Sequence, residues 1–148
     1  MRKKFKSDSD TVIIASRNPQ KLCSTLSENN FDDSYAIDVT SYEQWVNFKN
    51  YITDKYSHID ILINNAGGGI KIADTTEQTK ETIDGAVALN LNSVIYSSKL
   101  FGDIMKKQKD GTIINISSVC ARHCWPGWSV YAAAKAGVLN FTKGLYLE

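Results

Sequence analysis

A lysine follows a tyrosine by four residues twice in this chain, in YITDK (Tyr51, Lys55) and in YAAAK (Tyr131, Lys135). On a helix that spacing sets both side chains on one face, a turn apart. An ammonium beside a phenol favours the phenolate, whose unperturbed pKa is about 10, so either pair could move a proton. With 7 Tyr and 14 Lys in 148 residues, however, chance alone supplies about one such pair. The surroundings must decide, and they begin with the elements that hold each pair.

Four apolar runs rich in branched residues stand out: TVIIA (11–15), YAIDV (35–39), IDILIN (59–64) and GTIINIS (111–117). Near-continuous apolarity over about six residues predicts strands buried on both faces, as in parallel sheets. Between them, TSYE at 40–43 predicts a capping box, with Thr40 as N-cap and Glu43 three residues on. The helix it opens carries Trp45, Phe48, Ile52 and Tyr56 at three- and four-residue spacing, an apolar stripe for a core. Residues 88–107 and 129–147 read as two further helices. Strands alternating with helices predict an α/β fold with a parallel sheet in a single domain spanning 1–148. Tyr51 and Lys55 then fall late in a connecting helix, where a solvated helix face is the reading.

Open α/β sheets bind ligands beyond the carboxyl ends of their strands. The four runs end in Ser16-Arg17-Asn18, in Asp38-Val39, in NNAGGG (64–69) and in Ser117-Ser118. Small, polar and glycine-rich residues thus recur where a flat ligand would lie, and Gly67, Gly68 and Gly69 let backbone approach it closely. Taken alone, NNAGGG reads equally well as a plain turn.

Bulk properties exclude several classes. Apolar residues make up 43% and charged residues 22%, an ordinary globular balance. A net charge of +1 gives no field for nucleic acid or an anionic membrane, and the apolar runs are strand-sized. MRKK is followed by no apolar run of the signal-peptide kind. Cys23, Cys120 and Cys124 include no C-x-x-C pair, which fits free thiols in a reducing, cytoplasmic setting. CARHC brings Cys120, His123 and Cys124 together, but the spacing matches no common zinc pattern, and no metal is expected.

Read in order, INNAG, Asn90 in ALNLN, GTIINISS, and YAAAKAG with its tyrosine thirteen residues after Ser118 make a combination. It resembles the short-chain dehydrogenase/reductase family from about residue 11 to the end of the chain. The resemblance implies a Rossmann-like, doubly wound parallel sheet and a hydride transfer between a nicotinamide cofactor and a carbonyl or secondary alcohol. It implies Tyr131 as general acid/base and Lys135 as the lysine that holds the nicotinamide ribose and lowers the tyrosine pKa. It implies Ser118, rather than its neighbour Ser117, as the hydrogen-bond donor to the substrate oxygen, and Asn90 as part of a proton relay through water. Asn64, Ala66 and Gly67 are implied along the adenosine side, with Asp38 and Val39 at the adenine edge. After the first strand stand Ser16 and Arg17 with no acidic residue, which favours NADP over NAD.

The sequence also departs from the family pattern. The glycine-rich loop of the form T-G-x-x-x-G-x-G that receives the pyrophosphate is absent, and MRKKFKSDSD resembles the tail of the helix that follows that loop. KGLYLE ends within the helix of the catalytic pair, so the fold is expected to be truncated at both ends. In the family's strand order the strand that is not there lies between those at 11–16 and 59–64, leaving two half-sheets with unpaired inner edges. The expectation is an incomplete chain that folds poorly and turns over little substrate. The alternative function is an inactive fragment that pairs with a partner or full-length relative. The family's subunit interface corresponds to helices 88–107 and 129–147, which implies a homo-oligomer. Residues 119–130, with Arg122, His123, Trp125 and Trp128, are expected to line the substrate pocket, an acyl thioester and a sugar or polyol both remaining open.

Overall fold

The computed structural model describes residues 10–29 and 31–148. The helix tail expected in the first ten residues falls on residues 1–9, outside that range. Two parallel strand pairs carry the architecture. Strands β1 (Ile13–Ser16) and β2 (Asp33–Ala36) pair with Ile13 opposite Asp33, and β3 (Ile61–Asn64) and β4 (Thr112–Asn115) pair with Ile61 opposite Thr112. Among the described residues β1 and β3 each have one strand neighbour, so the sheet is divided into two halves between them. The α/β, parallel-sheet expectation holds.

Helix α1 (Pro19–Asn29) connects β1 to β2 and was absent from the sequence-based expectation. Its start is nevertheless encoded locally: Asn18 Oδ1 accepts from the Lys21 N–H at 2.9 Å, and Pro19 occupies the first helical position. Helix α2 (Tyr42–Lys55) begins one residue later than TSYE suggests. Its cap is Ser41, whose Oγ accepts from Gln44 N–H at 3.3 Å. Thr40 is held elsewhere, giving both its N–H and its hydroxyl to Asp38 Oδ1. The stripe on α2 packs as expected at Trp45, Phe48 and Ile52, which join Ile37, Val39, Leu100 and Phe101 in the main core. Tyr56 lies just past the helix end and packs at the margin of that core.

The helix expected at 88–107 starts earlier and is interrupted. Helix α3 (Lys80–Val87) runs through a π-helical turn at Ala88–Asn92 into α4 (Ser93–Gln108). Helix α5 (Ser129–Tyr146) closes the chain. Helix α1 packs on β1 and β2, and α4 on β3 and β4. The strands are less covered than continuous apolarity suggests, with Ile61 49% and Ile114 36% exposed. A sheet only two strands wide leaves such positions without neighbours on one side.

Candidate active site

The carboxyl ends of β3 and β4 are tied together by two amides, Asn64 buried and Asn115 half-buried. Asn64 and Asn115 are register partners, and Asn64 Nδ2 donates to Asn115 Oδ1 at 2.8 Å. Asn64 Oδ1 accepts from Ser97 Oγ at 2.7 Å, and Asn115 Nδ2 donates to Thr142 Oγ1 at 3.0 Å. One polar lattice therefore joins β3, β4, α4 and α5 behind the loops that follow the strands, and every member is bonded, as a buried network requires. Asn64, expected along the adenosine side of a cofactor, has its side chain in this lattice. Ser97, Asn115 and Thr142 carried no local signal, since their partners in the lattice lie 27 to 51 residues away along the chain.

Above the lattice, the π-helical turn aims Asn90 at the glycine loop. Asn90 is fully buried; its Oδ1 accepts from Gly68 N–H at 2.9 Å, and its Nδ2 donates to the Gly68 and Ala86 carbonyls at 2.9 Å each. Such π turns recur at functional sites because they re-aim a side chain that a regular helix would direct elsewhere. Lys135, 3% exposed, approaches from α5 and donates from Nζ to Ile116 O at 3.0 Å. Burial pushes its pKa below the ordinary lysine value. The two groups meet over Gly67: a Cβ placed there would lie 2.8 Å from Asn90 Oδ1 and 2.9 Å from Lys135 Nζ. A side chain at Gly67 would fill the cradle between them.

Tyr131 lies one turn before Lys135, whose Nζ is 5.9 Å from the centre of the phenol ring. Ser117 Oγ donates to the Lys135 carbonyl at 2.8 Å and so ties the segment after β4 to α5. Ser118, half-buried, caps the short turn Val119–Ala121 by accepting from Cys120 N–H at 3.2 Å, and that turn packs on α5. Its own hydroxyl proton remains available to an oxygen in front of it. The loop after β3 reaches the same region, where Ala73 N–H donates to Gly127 O at 3.3 Å and Thr75 Oγ1 bonds Ser129 Oγ at 2.7 Å. Arg122, His123 and Trp125 are exposed, and Trp128 is half-buried.

At the end of β1, Arg17 is exposed. Asp38, beyond β2, has its carboxyl held below the usual range by the Thr40 N–H and hydroxyl, with a smaller push from the Arg17 charge. The side chain of Val39, the other residue expected at the adenine edge, is buried in the core, and its carbonyl takes the Trp45 Nε1 proton at 2.8 Å. Ala66 and Gly67 are exposed on the loop.

The matching sequence pattern at Tyr51 and Lys55 proves to be a structural cluster rather than a solvated face. Tyr51 Oη, Tyr56 Oη and Lys55 Nζ all donate to Asp33 Oδ2, at 2.6, 2.8 and 2.9 Å. Burial pushes the Asp33 carboxyl up, but Tyr51, Lys55, Tyr56 and the Ser34 N–H together bring it down to about 2. The cluster stands at the amino end of β2, opposite the loops of the site. Asp33 is 18 residues from Tyr51, so no local pattern announced it. A cleft of about 130 Å³ lined by Ile52, Tyr56, His58 and Gln108 lies at that same far end and takes no part in the site.

The family model for short chain dehydrogenase matches residues 1–148. The chain belongs to the short-chain dehydrogenase family. Among its relatives is the 3-oxoacyl-(acyl-carrier-protein) reductase FabG of Thermotoga maritima, 31% identical over 146 residues, which covers 90% of this chain and 59% of the relative. A short chain dehydrogenase from Bacillus anthracis superposes with a TM-score of 0.91 at 30% identity, over 99% of this chain and 62% of that one. An actinorhodin polyketide ketoreductase with NADPH superposes with a TM-score of 0.86 at 29% identity, over 92% of this chain and 54% of that one. The chain thus spans little more than half the length of the relatives it matches. Within this short-chain dehydrogenase fold, Asn90, Ser118, Tyr131 and Lys135 stand on the loops and helices at the carboxyl ends of β3 and β4.

Proposed function

We propose that the chain carries the hydride-transfer site of an oxidoreductase that interconverts a carbonyl and a secondary alcohol, with NADP(H) as cofactor. The observation that carries this reading is the meeting of Asn90 Oδ1 and Lys135 Nζ within 3 Å of one point over Gly67, one helical turn from Tyr131. Lys135 Nζ has three donors and one protein acceptor, Ile116 O, so two remain for a diol such as a ribose. Gly67 leaves the space in which that sugar fits, and Gly68 opens onto clear space. The residues fit the nicotinamide half of the cofactor, whereas the sequence holds no glycine-rich strand-to-helix turn for its pyrophosphate. When bound, the cofactor supplies or accepts the hydride.

The remaining chemistry belongs to the chain. Tyr131 Oη gives its proton to the carbonyl oxygen in reduction and takes one from the alcohol in oxidation. Ser118 Oγ, held on the Val119–Ala121 turn, donates to the same oxygen and stabilises its developing charge. The Lys135 Nζ stands one helical turn on from Tyr131, 5.9 Å from the centre of the phenol ring. Asn90 fixes the loop over which the ribose passes, and a water relay beyond it completes proton exchange with solvent. Arg17 at the exposed end of β1 meets the 2′-phosphate, which supports NADP over NAD. The ketoreductase neighbour with NADPH adds to this preference. The reading includes one partial dinucleotide-binding domain over 1–148, Asn64, Ala66 and Gly67 along the adenosine with Asp38 and Val39 at the adenine edge, a small-molecule partner, a cytoplasmic setting, and self-association through α4 and α5.

A second reading has its own support. Among the described residues each half-sheet ends in a strand with a single neighbour, an arrangement that invites pairing with another chain. Under it the chain is an inactive partner of a longer relative. NADPH oxidation with simple ketones, compared between the wild type and Tyr131→Phe, separates the two. Turnover lost in Tyr131→Phe supports the enzyme, and no turnover in either leaves the pairing reading standing.

A further inference from the structure

We propose that Trp128 is a positioning residue for Tyr131: its indole, wedged against the Gly69 backbone, fixes where the phenol hydroxyl stands. The start of α5 breaks a local rule. Trp128 occupies the N-cap position with no side-chain acceptor for the helix N–H groups, where Ser, Thr, Asp and Asn are favoured. The same chain caps α2 with Ser41 and α3 with Thr79 in the ordinary way. Ser129, one residue on, does not substitute, since its hydroxyl is bonded to Thr75. A rule set aside without local compensation directs attention to what the ring does.

The ring packs on Tyr131, with centroids 5.3 Å apart and planes at 71°, an edge-to-face pair. The ring also lies against the glycine loop: a Cβ at Gly69 would lie 3.3 Å from Trp128 Cζ3 and 3.6 Å from Cη2. Its backbone is equally constrained. The Trp128 N–H donates to Trp125 O at 3.1 Å, its carbonyl accepts from Ala132 N–H at 2.8 Å, and Gly127 before it turns at φ +79° against Ala73. Trp128, Tyr131 and Lys135 succeed one another on one helix face, so the phenol stands between an indole and an ammonium. A tyrosine near the start of a helix otherwise turns about both its side-chain torsions. Here the indole blocks one way out and couples the ring to the loop after β3.

This inference rests on Tyr131 as the acid/base, and its test has one arm that needs no turnover. The chain is labelled on its tyrosine rings, and the Tyr131 signals are identified by their loss in Tyr131→Phe. Trp128→Ser supplies a cap and removes the ring, Trp128→Phe keeps a ring, and Gly69→Ala presses on the indole. The expected result is that Trp128→Ser melts as cooperatively as the wild type, at equal or higher Tm, while Tyr131 ring motion becomes fast and averaged. Trp128→Phe restores most of the restraint, and Gly69→Ala changes Tyr131 but not Tyr51 or Tyr56. With a ketone and NADPH, kcat of Trp128→Ser falls by about tenfold or more while KM stays within about twofold, as misplacement of a reacting group requires. Unchanged Tyr131 ring motion in Trp128→Ser overturns the proposal, as does Trp128→Phe behaving no better than Trp128→Ser. Should no variant, wild type included, turn over, the acid/base reading fails and the ring-motion arm alone decides positioning.

Discussion

The Asn90 carboxamide grips the Gly68 peptide from both sides, Oδ1 on its N–H and Nδ2 on its carbonyl, each at 2.9 Å. The same Nδ2 reaches back to Ala86 O, so a π-helical turn, the residue it aims and the glycine loop form one unit. A loop of three consecutive glycines would otherwise sample many conformations. Gripped at Gly68, it presents Gly67 to Lys135 in a single geometry.

Replacing Asn90 by Ala leaves the Gly68 and Ala86 groups without that partner. The expected cost is about 1–3 kcal/mol of stability, read as a lower Tm. NADPH affinity should fall further than the melt alone explains, because the loop is no longer held. Asn90→Asp keeps an acceptor but loses both donors, and should fall between.

Gly67→Ala tests the cradle itself. A methyl there meets Asn90 Oδ1 and Lys135 Nζ inside 3 Å, and the lysine end is the part that can yield. Calorimetric titration should show NADPH binding weakened by about tenfold or more, equivalent to about 1.4 kcal/mol. Gly68→Ala, facing open space, should bind nearly as the wild type does.

The Asp33 cluster predicts a pH dependence. The folded carboxyl titrates at about 2, below an unfolded value of about 3.9. Its contribution is therefore fully present above about pH 4 and is lost as pH falls towards about 2, where acid unfolding should set in. Asp33→Asn should remove about 1–2 kcal/mol at pH 7, less than the full shift implies because Lys55 is half-exposed. Denaturant melts from pH 2 to 7 should converge for the two proteins at the acid end.

Lys135 gives the same sign of slope in an alkaline window. Its folded pKa is depressed by burial, so between that value and the unfolded value of about 10.4 the unfolded chain binds more protons. Stability should rise with pH through that window in the wild type. Lys135→Met should flatten the rise, a difference visible in melts from pH 8 to 10.5.

Much of this was legible before any coordinates. Tyr131, Lys135, Ser118 and Asn90 could be named because INNAG, ALNLN, GTIINISS and YAAAK in that order resemble the family's motifs; their roles belong to the proposed function. The strands and the stripe of Trp45, Phe48 and Ile52 were legible because apolar patterning is encoded locally. What stayed hidden depends on partners far along the chain. Asp33 gathers three donors 18 to 23 residues away, and Asn64 is claimed by Ser97, 33 residues on. The cap falls to Ser41 rather than Thr40 because two neighbouring hydroxyls compete and Asp38 engages that of Thr40. Helix α1 has start signals in Asn18 and Pro19, but Leu22 is its one buried side chain, so no apolar stripe marks it in the sequence.

The central claim is that Lys135 and its neighbours form a nicotinamide–ribose site, and NADPH titration of the wild type against Lys135→Met tests it most directly. The account predicts saturable binding by the wild type, weaker binding of NADH, and loss of about tenfold or more in affinity for Lys135→Met. Equal binding by both proteins, or none by a cooperatively folded wild type, would contradict it.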